Sequence, residues 1–127
     1  MHRPKTFISA LIVALAVAGC GGGTSEPVPT GPLGPGVAER GQAVYKSTCR
    51  SCHGGDATGI SGLGKALKGS EFVAGLTEVE LAEFVRVGRS PDHPDNTTGV
   101  DMPAMGGNPR LNDQQLRDVA AYLLSLN

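Results

Sequence analysis

Apolar positions fall into four stretches separated by polar, glycine-rich or proline-rich segments. The first, Phe7–Ala18, is an uncharged run of 12 residues rich in Ala, Val, Leu and Ile. In the second, Ala38–Thr48, the pattern predicts a helix with Gly41, Val44 and Tyr45 on one side. The third opens with Thr77-Glu78-Val79-Glu80, a capping box flanked by Leu76 and Leu81 as its hydrophobic staple. Leu81, Phe84, Val85 and Gly88 follow at i, i+3, i+4 and i+7, one helical face with a glycine placed to end it. The fourth starts at Asn112, with Gln115 completing a second capping box, and carries Leu116, Val119, Ala120 and Leu123 at helical spacing. Between these stretches, 54–64 holds too many glycines for a regular element, and 89–110 is interrupted by prolines at 91, 94, 103 and 109.

Composition narrows what such helices can build. The chain has 127 residues, room for one domain, with 19 glycines and no tryptophan. So small a chain struggles to fill a core from its own side chains, and a bound group at its centre resolves the difficulty. The formal net charge is −1, so nothing points to nucleic acid as a partner. Glu78, Glu80 and Glu83 read as a solvated helix face rather than an acidic site.

Two of the three cysteines stand in Cys49-Arg50-Ser51-Cys52-His53. Cys-x-x-Cys-His is the attachment signature of c-type haem. Two thiols add across the two vinyl groups of one porphyrin edge, and the two residues between them give the backbone one turn. The next residue then lies under the ring, where its imidazole binds iron. A thioredoxin-like dithiol expects a βαβ setting, which no flanking strand pattern supplies. A zinc site needs a fourth ligand, and a structural disulfide has no use for the histidine.

The third cysteine belongs to the N-terminus. Arg3 and Lys5 precede the apolar run, which is too short for a membrane span but suits the core of a signal peptide. It ends in Ala18-Gly19-Cys20, which resembles the bacterial lipoprotein box, in which the cysteine is diacylated and becomes the mature N-terminus. An ordinary secretory signal would instead leave Cys20 as a free thiol in an oxidising compartment. The expected organisation is a lipoprotein signal peptide over 1–19, a lipidated N-terminus and Gly/Pro-rich linker over 20–36, and a folded domain over 37–127. The linker segment 21–36 has six glycines and four prolines. A flexible tether of that length spans about 20–24 Å root-mean-square.

From Ala38 to Leu126 the chain resembles class I (mitochondrial-type) monohaem cytochromes c, in a bacterial lipoprotein form. The resemblance rests on the haem motif, on Gly41 and Tyr45 in the first helix, on Met102-Pro103 and on the terminal helix with Ala120, Ala121 and Tyr122. It implies an all-α fold of three main helices and loops wrapped around one covalent haem c. It further implies attachment at Cys49 and Cys52, iron ligation by His53 and Met102, and a close crossing of first and last helices at Gly41. Where the family often shows Gly-Pro-x-Leu-x-Gly after the motif, this chain has Gly64-Lys65-Ala66-Leu67-Lys68-Gly69. Lysine replaces the proline whose carbonyl accepts a hydrogen bond from the proximal histidine, yet a carbonyl is still present at Lys65.

Four residues compete as the second iron ligand: Met102, Met105, His93 and a lysine such as Lys65. Lysine must first lose a proton held with a pKa of about 10.4. His93 lies in a loop between Pro91 and Pro94, and a second imidazole would lower the potential. Met102 is favoured over Met105 because Pro103 restricts its backbone to extended geometry. With both axial positions filled, the expected function is a membrane-tethered one-electron carrier, not an enzyme. Its partners would be redox proteins such as a quinol-oxidising complex and a terminal oxidase, met on the periplasmic or extracellular side of a bacterial membrane. The competing readings are a fixed subunit of a respiratory complex, and a haem enzyme or gas sensor with a labile distal ligand.

Overall fold

The computed structural model describes residues 33–127, and these form an all-helical domain with no strand among them. The order is α1 (Ala38–Val44), a π-helical turn (Tyr45–Cys49), α2 (Arg50–His53), α3 (Glu71–Ala74), α4 (Glu78–Val87), a 3-10 turn (Ala104–Gly107) and α5 (Asp113–Leu124). Helix therefore runs unbroken from Ala38 through the cysteine motif, past the Thr48 end that periodicity predicts. At the π-turn the Arg50 N–H reaches back to the Tyr45 carbonyl, so one extra residue is inserted. Such insertions concentrate where a helix must re-aim its side chains.

Both predicted capping boxes are present. Thr77 accepts from the Glu80 N–H while the Glu80 carboxylate takes the Thr77 N–H, and Asn112 and Gln115 do the same for α5. Each closes donors that the first helical turn leaves unpaired. Gly88 ends α4 at φ 74°, a conformation that costs glycine nothing. The short α3, capped by Ser70, had no periodic signature because four residues are too few to show one.

Helix α5 packs on both α1 and α4. Tyr45, Leu81, Leu116, Val73 and Val119 are the largest fully buried side chains. The α1–α5 crossing is as close as backbones allow. A Cβ on Gly41 would run into the Asp118 carbonyl and the Tyr122 Cβ. One turn on, the Tyr45 and Tyr122 rings meet at 5.5 Å and 52°.

Beside this crossing sits a buried charge. Asp118 is 2 % exposed and takes four hydrogen bonds. Arg40 donates twice, at 2.7 and 2.9 Å, the Val37 N–H at 2.8 Å and Gln114 at 3.1 Å. Val37, the residue just before α1, has no side chain to cap the helix, and its own N–H goes to the carboxylate of a distant helix. Gln114 also takes the Gly34 N–H, and Glu78 takes the Gly36 N–H together with Arg117. Glu78 is thus a half-buried tie between the entering chain and α5, not part of a solvated face.

Burial works to raise the Asp118 pKa, but the hydrogen bonds from Arg40, Val37 and Gln114 outweigh it and leave it below the ordinary carboxylate value. Its stabilisation is therefore complete at neutral pH and disappears as pH falls through that lowered value. Asp118→Ala is expected to destabilise the domain by about 3 kcal/mol at neutral pH. The gap to wild type should narrow in acid, measured by urea unfolding at about pH 7 and about pH 3.

Candidate haem site

The site is built from the end of α2 and the loop that follows it. Gly54 closes the helix at φ 85°, and the His53 carbonyl takes the Gly59 N–H at 2.8 Å. The buried Ala57, itself at φ 63°, accepts the N–H groups of Leu67 and Lys68 through its carbonyl. These bonds fold 54–68 back on the helix and bring the Lys65 carbonyl to 2.8 Å from His53 Nδ1. A carbonyl can only accept, so Nδ1 carries the proton and the lone pair remains on Nε2. The bond expected at a family proline is made here by lysine, since it uses only the main chain.

Gly64 lets the loop lie against the motif. A Cβ there would strike the Cys52 carbonyl and sit 3.3 Å from His53 Nδ1. Tyr45 secures the same turn from below by donating its hydroxyl to the Gly54 carbonyl, and burial pushes its phenol up to about 12.

Cys49 and Cys52 are one helical turn apart, where side chains share a face. Cys49 is half-buried and Cys52 exposed, and neither is in a disulfide. Burial, with the nearby Cys52, pushes the Cys49 thiol up to about 11. Among the described residues no group of three or more His, Cys, Asp and Glu could hold a metal ion.

On the other side of the fold, Arg89 and Met102 pair through both backbone bonds, at 2.8 and 3.0 Å. Gly88 permits this, because a Cβ on it would meet the Met102 carbonyl and Pro103. Asn96 organises the intervening loop, donating to Ser90 and Val100 carbonyls and accepting from Thr98 and Gly99.

The two sides enclose a cavity of about 650 Å³ whose wall includes Cys49, Cys52, His53 and Met102. That volume falls within the roughly 300–1,000 Å³ of cofactor sites. Val73, Leu81, Phe84, Val85 and Leu123 make much of the wall apolar. Of the other ligand candidates, Lys65 stands in the wall, while Met105 and His93 do not. Met105 takes φ 55° and packs against the core. His93 accepts the Asp95 N–H at Nδ1 and faces an outer groove. Cys20 lies outside the described residues.

A sequence profile described as cytochrome c oxidase, cbb3-type, subunit III, matches residues 36–123. The chain belongs to this family of cytochrome c domains. It is 35 % identical over 86 residues to cytochrome c-555 of Prosthecochloris aestuarii, which covers 67 % of this chain and 83 % of that protein. Cytochrome c-555 of Chlorobaculum thiosulfatiphilum is 34 % identical over 87 residues, 68 % of this chain and 93 % of its own. The CcoP subunit of the cbb3-type cytochrome c oxidase of Rhodobacter capsulatus is 33 % identical over 90 residues, 70 % of this chain. The chain spans only 29 % of that relative's length. No solved structure matches.

The family's cofactor is a covalently bound c-type haem, and the residues present fit it. A cavity of suitable volume carries two thiols on one helical face and an imidazole with its lone pair at Nε2. Sequence reasoning did not single out Gly64, whose role depends on a contact with residues 12 positions earlier, nor the Ala57 carbonyl.

Gly64→Ala is expected to push the loop off α2, weaken the His53–Lys65 bond and lower stability by about 2 kcal/mol in denaturant unfolding. Gly55→Ala, with nothing within 4 Å of its added methyl, should stay within about 0.5 kcal/mol of wild type.

Proposed function

We propose that this protein is a lipid-anchored, one-electron carrier in a respiratory or related electron-transport chain, with its haem attached at Cys49 and Cys52 and ligated by His53 and Met102. One observation carries this reading: His53, with its Nε2 lone pair, and Met102 line the same cavity, while Met105 and His93 do not. The bound haem supplies the one-electron redox centre. His53 is held in one tautomer and orientation by the Lys65 carbonyl, which also makes the imidazole a better donor. Met102 is held by its two main-chain bonds to Arg89 and by the proline that follows it. A thioether ligand favours the ferrous state relative to a second imidazole and raises the potential. The carrier therefore belongs on the high-potential side of a chain, between a donor such as a quinol-oxidising complex and an acceptor such as a terminal oxidase. The names of its CcoP relatives, subunits of a terminal oxidase, support that setting. No side chain is asked to act as acid, base or nucleophile.

The membrane assignment rests on the sequence before the described residues. The apolar run ending in Ala18-Gly19-Cys20 and the linker after it support a diacylated Cys20, with the haem domain on the periplasmic or extracellular side. Among the described residues no helix is long and apolar enough to cross a membrane.

The haem should stay with the polypeptide through acid–acetone extraction. The weak far-red ferric band that reports a sulfur–iron bond should be present in wild type, survive Met105→Leu and vanish in Met102→Leu. Its loss in the Met105 variant alone would overturn the ligand assignment. The mature N-terminal peptide should carry a diacylglycerol mass, and Cys20→Ser should release an intact haem domain into the soluble fraction. Recovery of the wild type wholly in that fraction would reject the anchor.

A further inference from the structure

Against α4 lies a second, open groove of about 440 Å³ that the electron-carrier reading does not use. Phe72, Phe84 and Val87 supply its apolar surface, and Phe72 and Val87 remain 45 % and 65 % exposed. Glu80, Glu83 and Asp95 stand in the same wall. An exposed apolar patch rimmed by charge is the usual form of a protein-binding surface.

The negative charge of this rim is left in excess. Glu80 is held by the N–H and hydroxyl of Thr77, which bring no charge and keep its carboxyl below the ordinary pKa. Arg86 pairs with Glu83 at 3.0 Å but also serves Asp113 at 2.7 Å. Asp95 pairs with no lysine or arginine among the described residues, and His93 is 3.9 Å from it. The groove also shares a wall with the haem cavity, since Phe72, Phe84, Arg89 and Asp95 line both. The two rings meet edge to face at 5.0 Å, so about one layer of side chains separates groove from cavity.

We infer that this groove is a docking site for a redox partner protein, taking from it an apolar side chain flanked by lysines or arginines. This rests on the electron-carrier reading above and adds where a partner sits. Charge selects the occupant, because three carboxylates repel an anionic lipid surface or an acidic segment and attract a basic one. Two copies of the chain meeting groove to groove would set carboxylates against carboxylates. The rings and Val87 then supply the apolar contact. The shared wall makes the site suit electron exchange, since an electron crosses only that layer of side chains to reach the cavity.

The test is oxidation of the full-length, haem-loaded, ferrous protein by cobalt(III) tris-phenanthroline, a cation with an apolar aromatic surface, in stopped flow at about 0.1 M salt. One electron leaves the protein and reduces cobalt(III) to cobalt(II). Val87→Lys puts a cation in the groove and should slow this reaction about threefold. Val79→Lys adds the same charge to the same helix, at a position 53 % exposed and outside the groove. It lies about 12 Å away along the helix axis and should slow the reaction less than about 1.5-fold. Ferricyanide, an anion, should oxidise Val87→Lys no more slowly than wild type. Glu80→Gln combined with Asp95→Asn should repeat the threefold loss, because glutamine keeps the cap of α4 and only charge is removed. A synthetic peptide with one phenylalanine flanked by lysines should compete with the cobalt complex, and its glutamate-flanked counterpart should not. Equal rates for wild type, Val87→Lys and the double variant would overturn the inference, as would a lysine peptide that does not compete. If Val87→Lys fails to fold, the double variant decides alone. A concentration-dependent dimer abolished by Val87→Lys would overturn it in favour of a second copy. A wild type inert towards both oxidants would reject the carrier reading itself, and this inference with it.

Discussion

The close contact of α1 with α5 at Gly41 is the constraint on which the rest of the domain depends. Without a side chain at that position the two backbones meet, and the Asp118 carbonyl occupies the space a Cβ would need. The same residue then uses its carboxylate to receive the Val37 N–H, immediately before α1, and the guanidinium of Arg40. One aspartate thus sets both the distance and the starting point of the helix that becomes the cysteine motif. The π-turn after Val44 then re-aims the chain, so that Tyr45 stays in the crossing while Cys49, Cys52 and His53 reach the cavity.

The loops are made rigid by main-chain hydrogen bonds rather than by bulk. On the His53 side, carbonyls at 53, 57 and 60 take N–H groups from 59, 67, 68 and 64, and Lys65 completes the set with the imidazole. On the Met102 side, Asn96 saturates its amide within its own loop. The Arg89–Met102 bridge ties the two ends of that loop together. This bonding holds the His53 imidazole and the Met102 backbone in fixed positions at the cavity wall. Main-chain bonding also explains why lysine can stand where related chains often have proline.

Charge is handled differently at the surface and inside. Arg86 bridges Glu83 and Asp113 in the open, where such pairs add little. Asp118 and Glu78 sit deeper and tie the entering segment 34–37 to α5. Arg89 lies over the Phe84 and Phe72 rings and donates to the Asp95 carbonyl instead of pairing with a carboxylate among the described residues.

Much of this was legible in the chain itself. The two capping boxes, the α4 and α5 faces and the Cys-x-x-Cys-His motif are local or periodic signals, and the helices appear where capping and periodicity put them, while the close crossing at Gly41 is one that the family resemblance implies. They are legible because capping and helical facing act over three or four residues. Contacts between residues far apart in sequence were decided only by the tertiary structure. Asp118 reads as one polar residue on a helix until Val37 and Arg40, about eighty positions away, are brought to it. Glu78 reads as surface until Gly36 and Arg117 reach it. The choice between Met102 and Met105 as cavity-wall residue, and the stacking of Arg89, depend on how the 89–107 loop closes. That closure is made by bonds between Arg89 and Met102 and by positive φ at Gly88, Met105 and Gly106, none of which follows from periodicity.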